Sequence, residues 1–204
     1  MSKIDDGVVK YSLDFQEKKL PNEALCFNIE TLRKRLYAMQ LIGAYENGIG
    51  YGNISHRDTN SDSFYITATQ TGELENLEIK DYSYVKSVDF KTFKTFASGL
   101  SKPSSESITH AAIYALDKNI NAVIHIHNEK LWNFMLQNNY LSTNDTPYGT
   151  PEMVEDIQTM YKKLTPLENN AFVMKGHFEG VVTFGRSLDE AQIALYKLVG
   201  ECLV

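Results

Sequence analysis

Hydrophobic positions recur along the chain at helical spacing in some segments and in short strand-like runs in others. From Ala24 onward, apolar residues follow one another in steps of three and four, which predicts a helix with one buried face that ends near residues 43–48. Further helical patterns occupy about residues 129–137, 151–163 and 188–203. Strand-like runs lie at residues 54–57, 64–67, 82–90, 121–127, 171–174 and 181–184. Helices interspersed irregularly with short strands favour a mixed or antiparallel sheet covered by helices over a regular parallel array.

One more helix start is marked by its residue types. Pro103 is followed by Ser104, Ser105 and Glu106, and an apolar helical pattern then continues to Leu116. An early proline, hydroxyl side chains and an acid near the positive end of the helix dipole are all favourable at a helix N-terminus. The segment therefore predicts a helix that begins with polar side chains.

The chain is organised as a single unit. Its 204 residues are the length of one medium domain, and they contain no repeat, low-complexity tract or linker. Residues 1–22 are polar and aperiodic, so we expect an N-terminal arm there and a single domain over residues 23–204.

The charge balance argues against two classes of partner. Lys and Arg together number 20 and Asp and Glu 26, which gives a formal net charge of −6. An acidic chain has no overall attraction to nucleic acid or to an anionic membrane surface, and no segment approaches the roughly 20 apolar residues of a membrane span. The Arg-Lys-Arg cluster at residues 33–35 is expected to be a solvated helix face or a contact with another subunit. We expect a small-molecule substrate instead.

The cysteines indicate the compartment. Cys26 and Cys202 are too few for a disulfide framework or a zinc ribbon, and both lie in apolar, helical contexts typical of buried free thiols. The first residues lack the apolar run of a signal peptide. We therefore expect a cytoplasmic location.

The strongest chemical signal is a pair of histidines two residues apart in the strand predicted at 121–127. Successive side chains of a strand point to opposite faces, so His125 and His127 share one face while Ile124 and Ile126 face a core. Two neighbouring imidazoles can hold one divalent metal ion, and they can also simply line a polar groove.

A third histidine strengthens the metal-binding interpretation. His177 follows the strand predicted at 171–174 and would lie at a strand end, where functional sites are often built. Glu106, at a helix start, can add a carboxylate. Three nitrogens and one oxygen suit Zn²⁺, with other divalent transition ions as alternatives. His56 and His110 are weaker candidates; for His110 we expect a role beside the site or in the core.

Several motifs together resemble the class II aldolase/adducin family, in the order in which that family carries them. They are Gly-Asn-Ile-Ser at residues 52–55, Pro-Ser-Ser-Glu at 103–106, His-Ala-Ala-Ile-Tyr at 110–114, Ala-Val-Ile-His-Ile-His at 122–127 and Tyr-Gly-Thr-Pro-Glu at 148–152. The similarity covers about residues 24–203. It implies a three-layer α/β/α fold with a central, largely antiparallel sheet, and often a homotetramer with sites at subunit interfaces.

The resemblance also implies roles for the polar residues. It implies a zinc ion held by His125, His127 and His177, with Glu106 beside or on the metal; in the aldolases the matching glutamate can leave the metal and act as the base. In members that act on sugar phosphates, main-chain amides and hydroxyls hold the anion. The matching positions here are Gly52, Asn53, Ser104, Ser105 and the pair Thr71 and Gly72, in a segment about two residues longer than usual.

Some features depart from the family pattern. Phe178 follows the third histidine, where the family usually has glycine. The aldolases carry a proton-donating tyrosine after the His-x-His motif and another on a C-terminal tail. Here the segment 128–149 offers Tyr140 and Tyr148, and the chain stops at Val204, so we expect no tail.

The predicted function is a zinc-dependent lyase-type enzyme. Aldol cleavage or related enediolate chemistry on a small hydroxy-carbonyl compound, free or phosphorylated, is the reaction class that the resemblance implies, and epimerase, dehydratase and decarboxylase activities stay open. The alternative is a non-catalytic binding or scaffold protein like the adducin heads, which resemble the fold but lack the metal ligands.

Overall fold

The computed structural model describes residues 9–58 and 61–204, which form ten strands and five α-helices. The strands are β1 (Ser12–Glu17), β2 (Gly43–Ala44), β3 (Gly50–Tyr51), β4 (Asn53–Arg57), β5 (Phe64–Thr67), β6 (Tyr82–Asp89), β7 (Lys94–Gly99), β8 (Ala122–His127), β9 (Ala171–Val173) and β10 (Gly180–Gly185). The helices are α1 (Ala24–Ala38), α2 (Ser107–Tyr114), α3 (Glu129–Gln137), α4 (Pro151–Tyr161) and α5 (Leu188–Cys202).

Eight of these strands form one sheet. Their spatial order is β1-β7-β6-β5-β4-β8-β10-β9, and β2 pairs with β3 separately. Every neighbouring pair in the large sheet is antiparallel except β1 and β7, which run parallel. The prediction of a largely antiparallel sheet is therefore confirmed.

Helices cover both faces of this sheet. Helices α2 and α4 pack on one face through residues such as Ile108 and Met153. On the other face, α1, α3 and α5 pack through residues such as Leu36, Met135 and Leu195. Adjacent strand residues alternate between the two cores, as the pleat requires. This is the expected α/β/α arrangement.

The first helix ends earlier than its hydrophobic pattern predicts. It stops at Ala38 because Gln40 adopts a left-handed φ of 57° and the Leu41 N–H bonds to the Leu36 carbonyl at 2.9 Å. Together with the bond from the Gln40 N–H to the Tyr37 carbonyl at 2.9 Å, this bond forms the Schellman type of helix end. Glycine usually marks this position, so a glutamine gave no sequence signal. Ile42 is still buried, but from the loop that follows.

Two neighbouring strands at one end of the large sheet, and the short pair β2 and β3, have no sequence prediction behind them. Strand β1 lies within the predicted N-terminal arm and pairs with β7, which was not predicted either. No residue of β1 is fully buried, because an edge strand is only partly covered. Strand β7 lies inside the sheet, and its last three residues are all buried, so it shows no regular alternation. Residues 1–8 of the arm lie outside the described residues, and the boundary at residue 22 stays a prediction.

The basic cluster on α1 also differs from expectation. Lys34 and Arg35 are exposed, but Arg33 is only 1% exposed. The prediction of a solvated face is therefore wrong for Arg33, because its guanidinium group donates to backbone carbonyls of a neighbouring loop.

Candidate metal centre

Strand β8 presents two histidines to the same side of the sheet. Ile124 and Ile126 belong to the core under α1, α3 and α5, whereas Val123 belongs to the opposite core. His125 and His127 therefore point toward the side of Val123, as the strand alternation predicts. β8 lies in the middle of the sheet between β4 and β10, so both imidazoles are buried.

The third imidazole comes from the turn between β9 and β10. The Nε2 atom of His127 lies 3.0 Å from Nε2 of His125 and 3.0 Å from Nε2 of His177. The turn is held by hydrogen bonds from the His177 N–H to the Met174 carbonyl and from the Gly180 N–H to the His177 carbonyl. One nitrogen from each of the three histidines thus converges on a common point, within 4.8 Å of the others.

A carboxylate lies beside these nitrogens. Glu106 occupies the N-cap position of α2 and is 4% exposed. Its Oε1 atom lies 3.3 Å from Nε2 of His177 and 3.7 Å from Nε2 of His125. The predicted ligand set is therefore assembled in one place by β8, the β9–β10 turn and the start of α2.

Burial keeps the three imidazoles neutral. Desolvation lowers the pKa of His125 to about 4, and a backbone hydrogen bond at Val181 opposes this only in part. Desolvation also lowers the pKa of His127 and of His177 well below the ordinary value, and the neighbouring histidines lower both further. Neutral imidazole is the form that binds metal ions, and nitrogen donors with one carboxylate suit Zn²⁺ and similar divalent ions. The donor set fits such an ion.

Two residues outside the predicted set orient His127. The hydroxyl of Tyr45 donates to Oε2 of Glu179 at 2.9 Å and lies 2.7 Å from Nδ1 of His127. Because that hydrogen is given to Glu179, Tyr45 accepts the Nδ1 hydrogen of His127, and Nε2 keeps its lone pair. Partners of this kind fix the ring of a ligand histidine. No local motif marks Tyr45 or Glu179; only the general need of a ligand histidine for an outer partner points to such residues.

The three histidines line a cleft together with Glu106. Every position matched to the family's anion-binding residues lines this cleft: Gly52, Asn53, Thr71, Gly72, Ser104 and Ser105. Residue Asn53 lies opposite His125 in the pairing of β4 with β8, which explains how it reaches the site. The structure thus brings together the whole predicted set, although the roles of these residues stay predictions.

The two glycines of this set are required by close packing. Gly52 has a φ of 77°, and a Cβ atom there would lie 2.7 Å from the Ile42 side chain. A Cβ atom on Gly72 would lie 2.0 Å from the Gly43 carbonyl oxygen. At Gly72 backbone packs directly on the backbone of residues 43, 50 and 51, so a side chain there would push apart segments that line the cleft.

The other candidates are placed differently. His110 is buried with its Nδ1 atom 2.7 Å from the Ser55 hydroxyl, and His56 bonds to the Arg57 carbonyl, so neither joins the three histidines. The Tyr140 hydroxyl donates to Glu201 on the protein exterior. The Tyr148 ring lies 4.7 Å from the His177 ring, between centroids, which makes Tyr148 the nearer of the two predicted proton donors.

Comparison with known proteins finds a matching family model and similar solved structures. The sequence model of a family described as Class II Aldolase and Adducin N-terminal domain matches residues 37–203. Similar solved structures include YgbL of Klebsiella pneumoniae, with 19% identity, a TM-score of 0.67 and coverage of 88% of this chain and 87% of that one.

Two further structures carry the names of enzymes. An L-fuculose 1-phosphate aldolase has 18% identity, a TM-score of 0.66 and coverage of 90% of this chain and 84% of its own. A sugar-phosphate aldolase of Thermotoga maritima has 19% identity, a TM-score of 0.63 and coverage of 86% and 92%. Among curated proteins nothing matches. At these identities the likeness establishes the fold alone.

Proposed function

The chain belongs to the Class II Aldolase and Adducin N-terminal domain family, and we propose that within this family it is a zinc-dependent enzyme of the lyase type. One observation carries the proposal. Three neutral imidazoles and a buried carboxylate converge in the same cleft, and this arrangement matches the requirements of metal-assisted chemistry on a hydroxy-carbonyl compound. A scaffold protein has no need for it.

The three histidines would hold the metal ion, with Glu106 beside it. A bound divalent ion supplies Lewis acidity toward a substrate carbonyl oxygen. The imidazoles contribute neutral donors that need not lose a proton before they bind, because burial holds their pKa values below the ordinary value. Zinc is the preferred ion for this donor set.

Glu106 is the proposed base. Its Oε1 atom is 3.3 Å from Nε2 of His177, so a substrate whose carbonyl group binds the metal ion would lie beside this carboxylate. Its carboxylate would accept the proton from a substrate carbon next to the carbonyl group and return it later in the reaction. Epimerisation at that carbon and dehydration can begin with such a step. In aldol cleavage the C–C bond breaks as a substrate hydroxyl loses its proton and becomes a carbonyl, and in decarboxylation it breaks with loss of CO₂; there Glu106, once protonated, would give a proton to the carbon left behind.

A phosphate group would occupy the far side of the cleft. Ser104 and Ser105 precede α2 and line the cleft, and so do Gly52 and Gly72, whose backbone amides would be available to an anion there. Hydroxyls and backbone N–H groups in such a concavity bind anions well. The names of two similar structures, which mention a 1-phosphate and a sugar phosphate, favour a phosphorylated substrate.

We further propose a homotetramer in the cytoplasm. The described residues include no helix that could cross a membrane. Large apolar side chains on α1 and α5 are exposed, among them Phe27 and Ile193, and a subunit contact would cover such groups. Sedimentation analysis tests the assembly: a monomer at micromolar concentration contradicts it.

The proposed reaction is tested by proton exchange. The zinc-loaded protein is incubated in D₂O with hydroxyketone phosphates, and loss of the hydrogen beside the carbonyl is followed by NMR. We expect exchange with the parent protein and a reduction of roughly 10²- to 10⁴-fold in Glu106→Gln, because a general base is lost. Tyr140→Phe, which alters only an exterior hydrogen bond, is the matched control. If no hydroxy-carbonyl compound exchanges, the scaffold alternative is favoured.

A further inference from the structure

One face of α1 contacts the loop that forms a wall of the cleft. Glu30, Arg33 and Tyr37 are spaced by three and four residues, so they lie on the same face of the helix. The Tyr37 hydroxyl donates to the Glu73 carbonyl at 3.2 Å, and Oε1 of Glu30 accepts from the Leu77 N–H at 2.9 Å. The helix therefore holds this segment at several points.

Arg33 makes most of these contacts. Its Nη2 atom donates to the carbonyls of Thr71 at 2.9 Å, Gly72 at 3.4 Å and Leu74, and its Nη1 atom donates to Glu75 at 3.2 Å. The side chain is 1% exposed. A planar guanidinium group has five N–H donors and can satisfy several carbonyls of a curved loop, which the ammonium group of a lysine cannot match in geometry. We call residues 71–75 the clamped loop.

The clamped loop also lines the cleft. Thr71 and Gly72 line the cleft, whereas Arg33 does not and lies behind them. In a trans peptide the carbonyl and the N–H point in opposite directions. Because the Thr71 carbonyl points toward Arg33, the Gly72 N–H points away from Arg33. Within the described residues this N–H donates to no protein acceptor.

The clamped loop and the residue before it, Gln70, also contact residues 50–52. The Gly50 N–H donates to Oε1 of Gln70 at 3.1 Å, and a Cβ atom on Gly50 would lie 2.9 Å from the Gly72 nitrogen. A shift of the clamped loop would therefore also disturb residues 50–52, which line the same cleft.

From these contacts we propose that Arg33 is a positioning residue for anion binding. It holds the clamped loop so that the Gly72 amide faces the phosphate group of the substrate, without touching that group itself. This inference rests on the phosphate subsite of the proposed function. Tyr37 assists from the same face of α1.

The test is binding of inorganic phosphate to the zinc-loaded protein, measured by titration calorimetry in the parent chain and in Arg33→Lys. We expect affinity to fall by about tenfold, the loss that corresponds to one misplaced hydrogen bond to a charged group. Zinc content should be unchanged, because Arg33 touches none of the histidines. A merely structural role would lower the unfolding temperature without this selective loss.

Arg57→Lys is the matched control. Arg57 is also buried and also donates to backbone carbonyls, those of Tyr114 and Ile120, but it lies outside the cleft. This variant should lose stability, but its affinity for phosphate should stay within about twofold of the parent chain's, a small change in binding free energy.

The possible results distinguish the role of Arg33 from the existence of the phosphate subsite. If the parent chain binds phosphate and Arg33→Lys binds it equally well, the role of Arg33 is overturned and the subsite stands. If the parent chain with full zinc binds no phosphate, the phosphate subsite fails and the inference fails with it. Should Arg33→Lys not fold, Tyr37→Phe carries the test. It removes a single bond to the clamped loop and should weaken phosphate binding about threefold while zinc content stays constant.

Discussion

At the site, a ligand side chain is held in place by the contacts of the atoms that do not face the metal position. His127 directs Nε2 toward the other imidazoles while Nδ1 meets the Tyr45 hydroxyl, which in turn bonds to Glu179. A residue that holds a ligand in one tautomer matters to metal affinity although it never touches the metal. Substitutions that remove a single hydroxyl group should therefore have measurable effects.

Removal of the Tyr45 hydroxyl should weaken metal binding. Tyr45→Phe keeps the ring that packs against Tyr51 but leaves the Nδ1 hydrogen of His127 without this acceptor. We expect zinc affinity to fall by about tenfold or more, in line with other outer partners of ligand histidines. Competition with a chromophoric chelator measures this; equal affinities in Tyr45→Phe and the parent chain would contradict the role.

Tyr11 should make the free energy of unfolding decrease at alkaline pH. Its hydroxyl donates to the Ser104 carbonyl at 2.8 Å, and burial raises its pKa to about 12, from 10.0. In the unfolded chain the phenol ionises near pH 10. Its contribution to stability is therefore complete below pH 10 and is lost between pH 10 and 12.

Denaturant unfolding at several pH values measures this effect. Tyr11→Phe should show a shallower fall of the unfolding free energy above pH 10, by up to one proton, or about 1.4 kcal/mol per pH unit. Other buried groups such as Tyr65 and Cys26, whose pKa values burial also raises to about 12, account for the slope that remains. Identical slopes would show that Tyr11 is not the titrating group.

At the scale of elements, the central strand β8 and its neighbours build the site. The period-two pattern of residues 122–127 predicts correctly which face carries the histidines, because a strand in mid-sheet must alternate between two cores. The same reasoning fails at the sheet edge. The edge strand β1 was missed because an edge strand buries too little for a clear pattern, and β7 was missed because its last three residues are all buried and do not alternate. The end of α1 was missed because Gln40 stands where glycine is usual.

Gly180 should be indispensable to the turn that carries His177. It lies opposite His127 in the register of β10 with β8, and a Cβ atom there would lie 2.7 Å from the His177 ring and 3.1 Å from the His125 ring. Gly180→Ala must displace one of these rings, so zinc content should fall well below that of the parent chain.

Gly200→Ala is the matched control for this substitution. Gly200 lies in α5, and a Cβ atom there would meet nothing within 4 Å. Because alanine has the higher helix propensity, this variant should gain roughly 0.5–1 kcal/mol of stability and keep its zinc. Full zinc in Gly180→Ala would refute the steric argument.

At the scale of the whole molecule, the family and the fold could be predicted from the sequence, whereas contacts between residues remote in sequence could not. The motifs at residues 52–55, 103–106 and 122–127 predicted the family and the α/β/α fold, because each lies on a strand or helix start that faces the cleft. Tyr45, Glu179 and the buried Arg33 escaped prediction because their partners are remote in sequence: Tyr45 and His127 are 82 residues apart. Local pattern carries no information on such pairs; only the folded sheet brings them together.

The central claim, a metal ion bound by three histidines, is tested most directly by elemental analysis. The protein purified without added metal is compared with His127→Ala, and circular dichroism verifies that both are folded. The account predicts about one zinc or similar divalent ion per parent chain, as a site of one ion with three protein nitrogens requires, and its loss in the variant. A parent chain that takes up no metal even when zinc is supplied, or a variant that keeps its full content, would contradict the account.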